Sequence, residues 1–232
     1  MEQIRISAKN LGAVMLETFC PRCFWIKLKT ANKLPWQIFP GIFSSIDAYT
    51  KKVAHAIIDN NKTEGPNWMK EMGDIVSWNK APHFSKFNTV NEKHNILLTG
   101  SADGIFVRRD GGIIIPDWKT AKYTANQDKL LPMYGIQLNG YAYIHEATIG
   151  PVEALYLVYF QPQTDEGAAI ANTKEYGFKM EFEAKAIEIP IDLGKLDRAM
   201  EITREIYEMP HAPAGLAGCK DCANLDRIMG LL

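Results

Sequence analysis

The sequence predicts an α/β domain, a β-sheet with helices packed against it. Three observations lead there. Residues 96–120 read as a β-hairpin, with apolar runs on both sides of Arg109-Asp110-Gly111-Gly112, a turn whose glycines accept positive φ. A helical segment over 128–147 follows, and residues 152–160, rich in β-branched and aromatic side chains, read as a further strand. Finally, 232 residues at 47% hydrophobic content support one domain, 1–232, with a sizeable core.

The remaining elements are read in chain order. Ser7 is placed to cap a first helix leading to Cys20, and residues 30–41 are a proline-containing, aromatic-rich connection. Residues 45–60 form a helix whose only histidine is His55. Residues 61–95 are irregular, broken by Pro66, Gly73 and Pro82, with a short helix near 68–72. The helix over 128–147 has Asp128 as its cap and Pro132 in its first turn. Residues 161–173 form a polar loop. Residues 177–191 alternate through Phe178, Met180 and Phe182 and carry many charges, which predicts an edge strand. Residues 193–209 form an amphipathic helix with Leu196, Met200, Ile202, Ile206 and Tyr207 as apolar positions, and a loop from His211 then delivers Cys219. The chain shows no internal repeat and no low-complexity segment.

The chemistry concentrates in the hairpin. Side chains alternate across a strand, so Asp117 and Lys119 point to one side and Trp118 to the other. In simple hairpin register Asp103 lies beside Asp117. Two carboxylates there make an oxygen-rich site for Mg²⁺ or Mn²⁺, hard cations that prefer such ligands. Lys119 would orient an attacking water or neutralise a phosphate. A lone Asp-x-Lys triplet usually marks a surface ion pair. Here Pro116 and three isoleucines place Asp117 at the end of a buried strand, where an unpaired acid is costly. On the next helix Gln137 and Tyr141 are four residues apart and share a face, with Met133 and Tyr134 one turn earlier.

Gly100-Ser101-Ala102-Asp103, Asp117-Trp118-Lys119 and Gln137 through Tyr141 occur in that order. In this the chain resembles the PD-(D/E)XK nucleases of the RecB-like branch, which show G-x-x-D, D-x-K and Q-x-x-x-Y on successive elements. The resemblance implies a restriction-endonuclease-like core, a central mixed β-sheet flanked by helices. It implies that Asp103 and Asp117 bind metal and that Lys119 assists catalysis. Gln137 and Tyr141 would shape the site and contact DNA. By the same resemblance the backbone carbonyl of Trp118 and the side chain of His55 are further metal ligands.

The four cysteines form two C-x-x-C pairs, Cys20 with Cys23 and Cys219 with Cys222. Two such knuckles supply four thiolates to one tetrahedral metal, provided the two chain ends meet. Buried free thiols, or disulfides in a secreted protein, are the alternatives. No N-terminal signal peptide is legible, which points to a reducing, cytoplasmic setting. Some RecB-like nucleases, the AddB-type and CRISPR-adaptation enzymes among them, hold an iron–sulfur cluster (4Fe–4S) with one N-terminal and three C-terminal cysteines. The segment FCPRCFW at 19–25 resembles their N-terminal cysteine motif. Two cysteines at each end depart from that pattern, so spacing favours Zn²⁺ while the resemblance favours the cluster, which is the leading expectation with Zn²⁺ the alternative. Either centre would staple the chain ends.

No apolar run reaches membrane-spanning length, and a net charge of −1 argues against a nonspecific nucleic-acid coat. Basic residues cluster locally: Arg22, Lys27, Lys29 and Lys33; Lys51 and Lys52; Arg108 and Arg109; Lys119, Lys122 and Lys129. Lys27 and Lys29 would share a face if they lie on a strand. Trp25, Trp36 and Phe39 can stack bases in a single strand, but core packing is the stronger reading for each. The leading expectation is a Mg²⁺- or Mn²⁺-dependent deoxyribonuclease. It would be an exonuclease or single-strand-preferring enzyme of repair, recombination or mobile-element biology, with a helicase or recombination protein as a possible partner. The alternatives are a catalytically idle DNA-binding or scaffolding module with a structural metal site, and a zinc-knuckle interaction protein. Two acids beside each other favour the first.

Overall fold

The computed structural model describes residues 1–31, 41–60, 66–124 and 129–231. A strand, β1 (Ile4–Ser7), opens the chain, followed by the one-turn helix α1 (Ala8–Leu11) and a 3₁₀ turn, Gly12–Met15. Next come α2 (Pro21–Lys29), α3 (Gly41–Asn60) and α4 (Asn67–Lys70). Five strands follow, β2 (Ile75–Asn79), β3 (Asn88–Asn91), β4 (Ile96–Thr99), β5 (Ile105–Arg108) and β6 (Ile113–Lys119). After α5 (Leu131–Thr148) come β7 (Ala154–Pro162), α6 (Glu166–Ala171), the small hairpin β8 (Thr173–Lys174) and β9 (Gly177–Phe178), and β10 (Phe182–Ile189). Two helices close the chain, α7 (Leu193–Glu208) and α8 (Lys220–Met229).

The central sheet has the order β10-β7-β6-β5-β2 and is mixed: β6 and β7 are parallel and the other neighbours antiparallel. The parallel pair requires a crossover, which α5 supplies. One face of this sheet, with Ile115, Leu155 and Leu157, packs against α5, which α7 covers in turn. The other, with Ile114, Trp118 and Val158, packs against Ala54 and Ile58 of α3. These two α3 residues are four apart and so lie on one helical stripe. Both faces are covered, which is why β6 and β7 read as almost unbroken apolar runs.

Several expectations are corrected. Ser7 does cap a helix, accepting the Asn10 N–H at 3.3 Å, but that helix lasts one turn and does not reach Cys20. The short apolar stretch before it is a strand paired with β4. Residues 96–108 are not one strand. β4 belongs to a three-stranded sheet, β1-β4-β3, and β5 to the central one, so the Gly100-Ser101 break is where the chain changes sheets. The irregular stretch contains β2 and β3, and the polar loop contains α6. The predicted strand over 177–191 is shorter, β10, and does lie at the sheet edge. Lys27 and Lys29 lie on α2, a helix, so they do not share a face. The Asp128 cap, Lys33, Trp36 and Phe39 lie outside the described residues. α5 begins at Leu131 with Pro132 in its first turn. Trp25 packs at the core edge and donates its Nε1–H to the Met209 carbonyl at 3.1 Å. No helix among the described residues is long and apolar enough to cross a membrane.

Candidate active site

β5 and β6 pair Phe106 with Ile114 and Val107 with Ile113, and the turn between them has Gly111 at φ 91°. Continuing that register toward the open end brings Asp103 across from Asp117. Asp103 precedes β5, and its Oδ2 accepts the Trp118 N–H at 2.8 Å, so the lead-in is tied directly to β6. Trp118 points the other way, into the aromatic cluster with Trp68, Phe106 and Phe160.

Two helices reach this spot from opposite faces of the sheet. From α5, Gln137 Nε2 donates to Asp117 Oδ1 at 2.9 Å and to the Tyr141 hydroxyl at 2.8 Å. Tyr141 packs against the backbone of Gly100. A Cβ on that glycine would stand 3.0 Å from the tyrosine ring and 2.7 Å from Phe87, so a side chain has no room. From α3, Lys51 Nζ lies 2.8 Å from both Asp47 Oδ2 and Asp103 Oδ1. His55, one turn further on, stacks on Trp78 with ring centroids 3.5 Å apart, and its Nε2 is buried with no hydrogen-bond partner among the described residues.

Asp117 is 3% exposed. Burial pushes its carboxyl up to about 6. The Lys119 ammonium, which pairs with its Oδ2, and the more distant Lys9 oppose the rise, and Asp103 reinforces it. Burial also lowers His55, favouring the neutral imidazole that can ligate a cation. Burial works against the Lys51 ammonium, but Asp103 and Asp47 outweigh it and hold Lys51 above the ordinary lysine value. Burial raises Tyr141, which stays a neutral phenol. Lys119 Nζ lies 4.4 Å from the centre of the Tyr134 ring. The acids, Lys119, Gln137 and Tyr141 line an open cleft of about 390 Å³.

The four cysteines do meet. Cys20 caps α2 and Cys219 caps α8, so each C-x-x-C knuckle opens a helix. Cys20 and Cys222 Sγ are 3.4 Å apart, Cys23 and Cys222 3.5 Å, and Cys23 and Cys219 3.7 Å. All four sulfurs lie within 4.8 Å of one another, and three of the residues are buried. Among the described residues this is the only grouping of three or more His, Cys, Asp or Glu ligand atoms so close together. Burial would raise Cys20, but N–H groups, that of Leu216 at 3.3 Å among them, bring it down to about 7. Burial raises Cys222 to about 11 and raises Cys23 as well. Arg22 and Asp226 clamp the same two helices with a double hydrogen bond of 2.7 and 3.2 Å.

A family model described as "PD-(D/E)XK nuclease superfamily" matches residues 47–226. The chain belongs to the PD-(D/E)XK nuclease superfamily. Its members are generally metal-dependent nucleases, which implies nucleic-acid binding. Among solved structures, the chain is similar to one described as "Crystal structure of SSO0001". The identity is 15%, covering 90% of this chain and 80% of that one, with a TM-score of 0.47. No curated protein matches the chain in sequence.

In this PD-(D/E)XK protein the hairpin and α5 bring Asp103, Asp117, Lys119, Gln137 and Tyr141 together. Gln137 and Tyr141 are buried, at 3% and 4% exposure, and their hydrogen bonds run to Asp117 and to each other. That arrangement suits orienting the acid better than touching DNA. His55 stands beside Gly104, its Nε2 3.5 Å from where a Cβ would be, next to the Asp103 turn. Two carboxylates and an orphan imidazole nitrogen form a donor set that suits a divalent ion. Sequence reasoning missed Asp47 and Lys51 as members of this cluster, although Asp47, Lys51 and His55 repeat every four residues on one face of α3.

Proposed function

We propose that the protein is a Mg²⁺- or Mn²⁺-dependent nuclease that hydrolyses DNA phosphodiester bonds at the Asp103–Asp117 cleft. The observation that carries this reading is the pairing of two nearly buried carboxylates across the hairpin with Lys119 beside one and the orphan Nε2 of His55 near the other. Asp103, Asp117, the Trp118 carbonyl and His55 are the proposed ligands. The ion would supply Lewis-acid polarisation of the phosphate and activation of water. Lys119 holds the attacking water or a phosphate oxygen, since an ammonium cannot ligate a cation. Gln137 and Tyr141 act as positioning residues, fixing the Asp117 carboxylate through the 2.9 Å hydrogen bond.

The motif order supports the RecB-like branch, acting as an exonuclease or on single strands in repair, recombination or mobile-element biology. A cytoplasmic setting and a helicase or recombination partner fit that branch. The chain is proposed to act as one domain, 1–232. For the cysteine centre the sulfur spacing supports a single tetrahedral ion. A metal–sulfur distance of about 2.3 Å sets sulfurs roughly 3.8 Å apart. A 4Fe–4S cubane puts each thiolate on a different iron at a separate corner, which demands wider spacing. Zn²⁺ is therefore favoured over the cluster.

The test is cleavage of single- and double-stranded DNA with Mg²⁺ or Mn²⁺ against an EDTA control. Cutting that needs the ion and is lost in Asp117→Asn supports the reading. Strand binding without cutting would favour an idle DNA-binding module.

A further inference from the structure

A second cavity, of about 500 Å³, adjoins the acidic cleft. Ser7 and Thr99 line both. These two residues are register partners at the ends of β1 and β4, so they form the border that the two cavities share at the end of the three-stranded sheet. The second cavity then runs to the cysteine centre, where Cys20, Cys23, Cys219 and Asp221 close it.

The cations along this path differ from those in the cleft. Lys51 and Lys119 are held by Asp103 and Asp117. Lys9 lines the acidic cleft, and Arg5 and Lys27 line the second cavity. Among the described residues, none of these three has a carboxylate within ion-pair distance. Phe84 lines the acidic cleft, 44% exposed, with the His83 ring centre 4.0 Å and the Arg5 guanidinium 5.9 Å from its own ring centre. Cations without a carboxylate partner spaced along a groove, beside a partly exposed aromatic ring, are the ingredients of a single-strand binding track. The cations follow the phosphates, and the ring stacks a base without regard to sequence. A duplex has no need of such stacking and is too wide for a cavity of this size.

We propose that this channel is the track of one nucleic-acid strand running from the acidic cleft over Ser7 and Thr99 toward the cysteine centre, with phosphates on Arg5, Lys9 and Lys27 and a base on Phe84. The proposal rests on the nuclease reading of the cleft and adds a path and a direction to it. It also gives the cysteine centre a second task, to hold the far wall of the track.

Fluorescence anisotropy tests the track on the full chain with its cysteine centre loaded. The probes are single-stranded oligonucleotides of two to twelve nucleotides, with Ca²⁺ replacing Mg²⁺. Wild-type affinity is expected to rise with length and level off within the roughly 4–16 nucleotides that such grooves hold. Each phosphate contact on a single strand contributes about 0.7 to the slope of log affinity against log salt. Arg5→Ala and Lys27→Ala should therefore each reduce that slope by about 0.7, and the pair by about 1.4. Phe84→Ala should weaken binding roughly tenfold with the slope unchanged, since stacking carries no counterion release. Thermal unfolding and metal content of each variant keep a folding defect from passing as lost binding. If the Arg5→Ala/Lys27→Ala protein binds long strands with the wild-type slope and still cuts them, the track is overturned and the nuclease reading stands. If the wild type neither binds nor cuts any strand, both fall, and the cavity would be one that docks a protein segment instead.

Discussion

At the cysteine centre four sulfurs lie within 4.8 Å of one another. At the acidic cleft each carboxylate is instead held by an ammonium, Asp103 by Lys51 and Asp117 by Lys119. The difference follows from what each group does at neutral pH. Burial keeps Cys23 and Cys222 protonated, so uncharged thiols can be packed close together. Two carboxylates cannot be packed that way, because burial and mutual repulsion already push Asp117 up to about 6. The first arrangement is a closed staple between α2 and α8. The second stays open on one side, with an imidazole nitrogen that has no partner among the described residues and a cleft of about 390 Å³. That contrast fits the proposed roles, a structural metal site at the cysteines and a catalytic one at the acids.

The sharpest way to break the comparison is to substitute once in each region. Asp117→Asn should reduce cleavage to background while leaving the metal-free melting temperature unchanged or higher. The folded environment raises the Asp117 carboxyl, so its ionised form costs stability above about pH 6, and that cost fades as pH falls toward the ordinary aspartate value. An amide removes the cost at every pH. Lys119→Ala should be equally inactive yet keep Mn²⁺ affinity, read by calorimetric titration. Restored cutting at high Mn²⁺ would make Lys119 a support for the metal instead.

Cys23→Ser should do the opposite. Losing one of four ligands should cost several kcal/mol of stability, because metal binding and folding of such sites are linked. The remaining folded protein should keep its cleavage chemistry while holding strands more weakly, since Cys23 lines the proposed track. Metal analysis with a visible spectrum decides the occupant. One zinc and no colour fits the sulfur spacing, whereas about four irons with a broad blue-region band means a cluster. Four free thiols in a stable, metal-free protein would remove the centre from the argument.

Smaller effects sharpen the acidic side. Gln137→Ala and Tyr141→Phe should lower cleavage roughly 10–100-fold, the scale for loss of a second-layer contact to a metal ligand. Wild-type rates in both would leave them as core-edge residues. The smallest effect is a pH dependence. Mn²⁺ affinity at the cleft should fall about tenfold per pH unit below about 6, where Asp117 must lose a proton to ligate. At the cysteine centre, affinity should keep rising through and above neutral pH, because the raised thiols of Cys23 and Cys222 release protons on binding.

Legibility in the sequence followed the range of the interactions. The hairpin announced itself through Gly111-Gly112 and three isoleucines, and its register placed Asp103 by Asp117 because a short turn fixes pairing. Helical spacing put Gln137 and Tyr141 on one face, and the resemblance to the Q-x-x-x-Y motif is what marked them as site residues. β1, β2 and β3 were missed because four- and five-residue strands with polar edges leave no period to read. The switch of sheets at Gly100 was missed for another reason. A glycine break looks the same whether the chain bends within one sheet or leaves it. Asp47 and Lys51 were legible as a four-residue repeat with His55, but nothing local says what that face meets.

Residue identity alone determined the strand–turn–strand–helix order, the acid pair with its lysine, and the two thiol knuckles. All of these are set by contacts within a turn or along one element. Only the tertiary structure decided that the two chain ends close on each other and that α3 and α5 reach the acids from opposite faces. It alone left His55 Nε2 without a partner among the described residues and set two cavities side by side at Ser7 and Thr99. These depend on which apolar faces find each other across long sequence separations. That selection is made by burial and packing in the finished core, which local spacing does not encode.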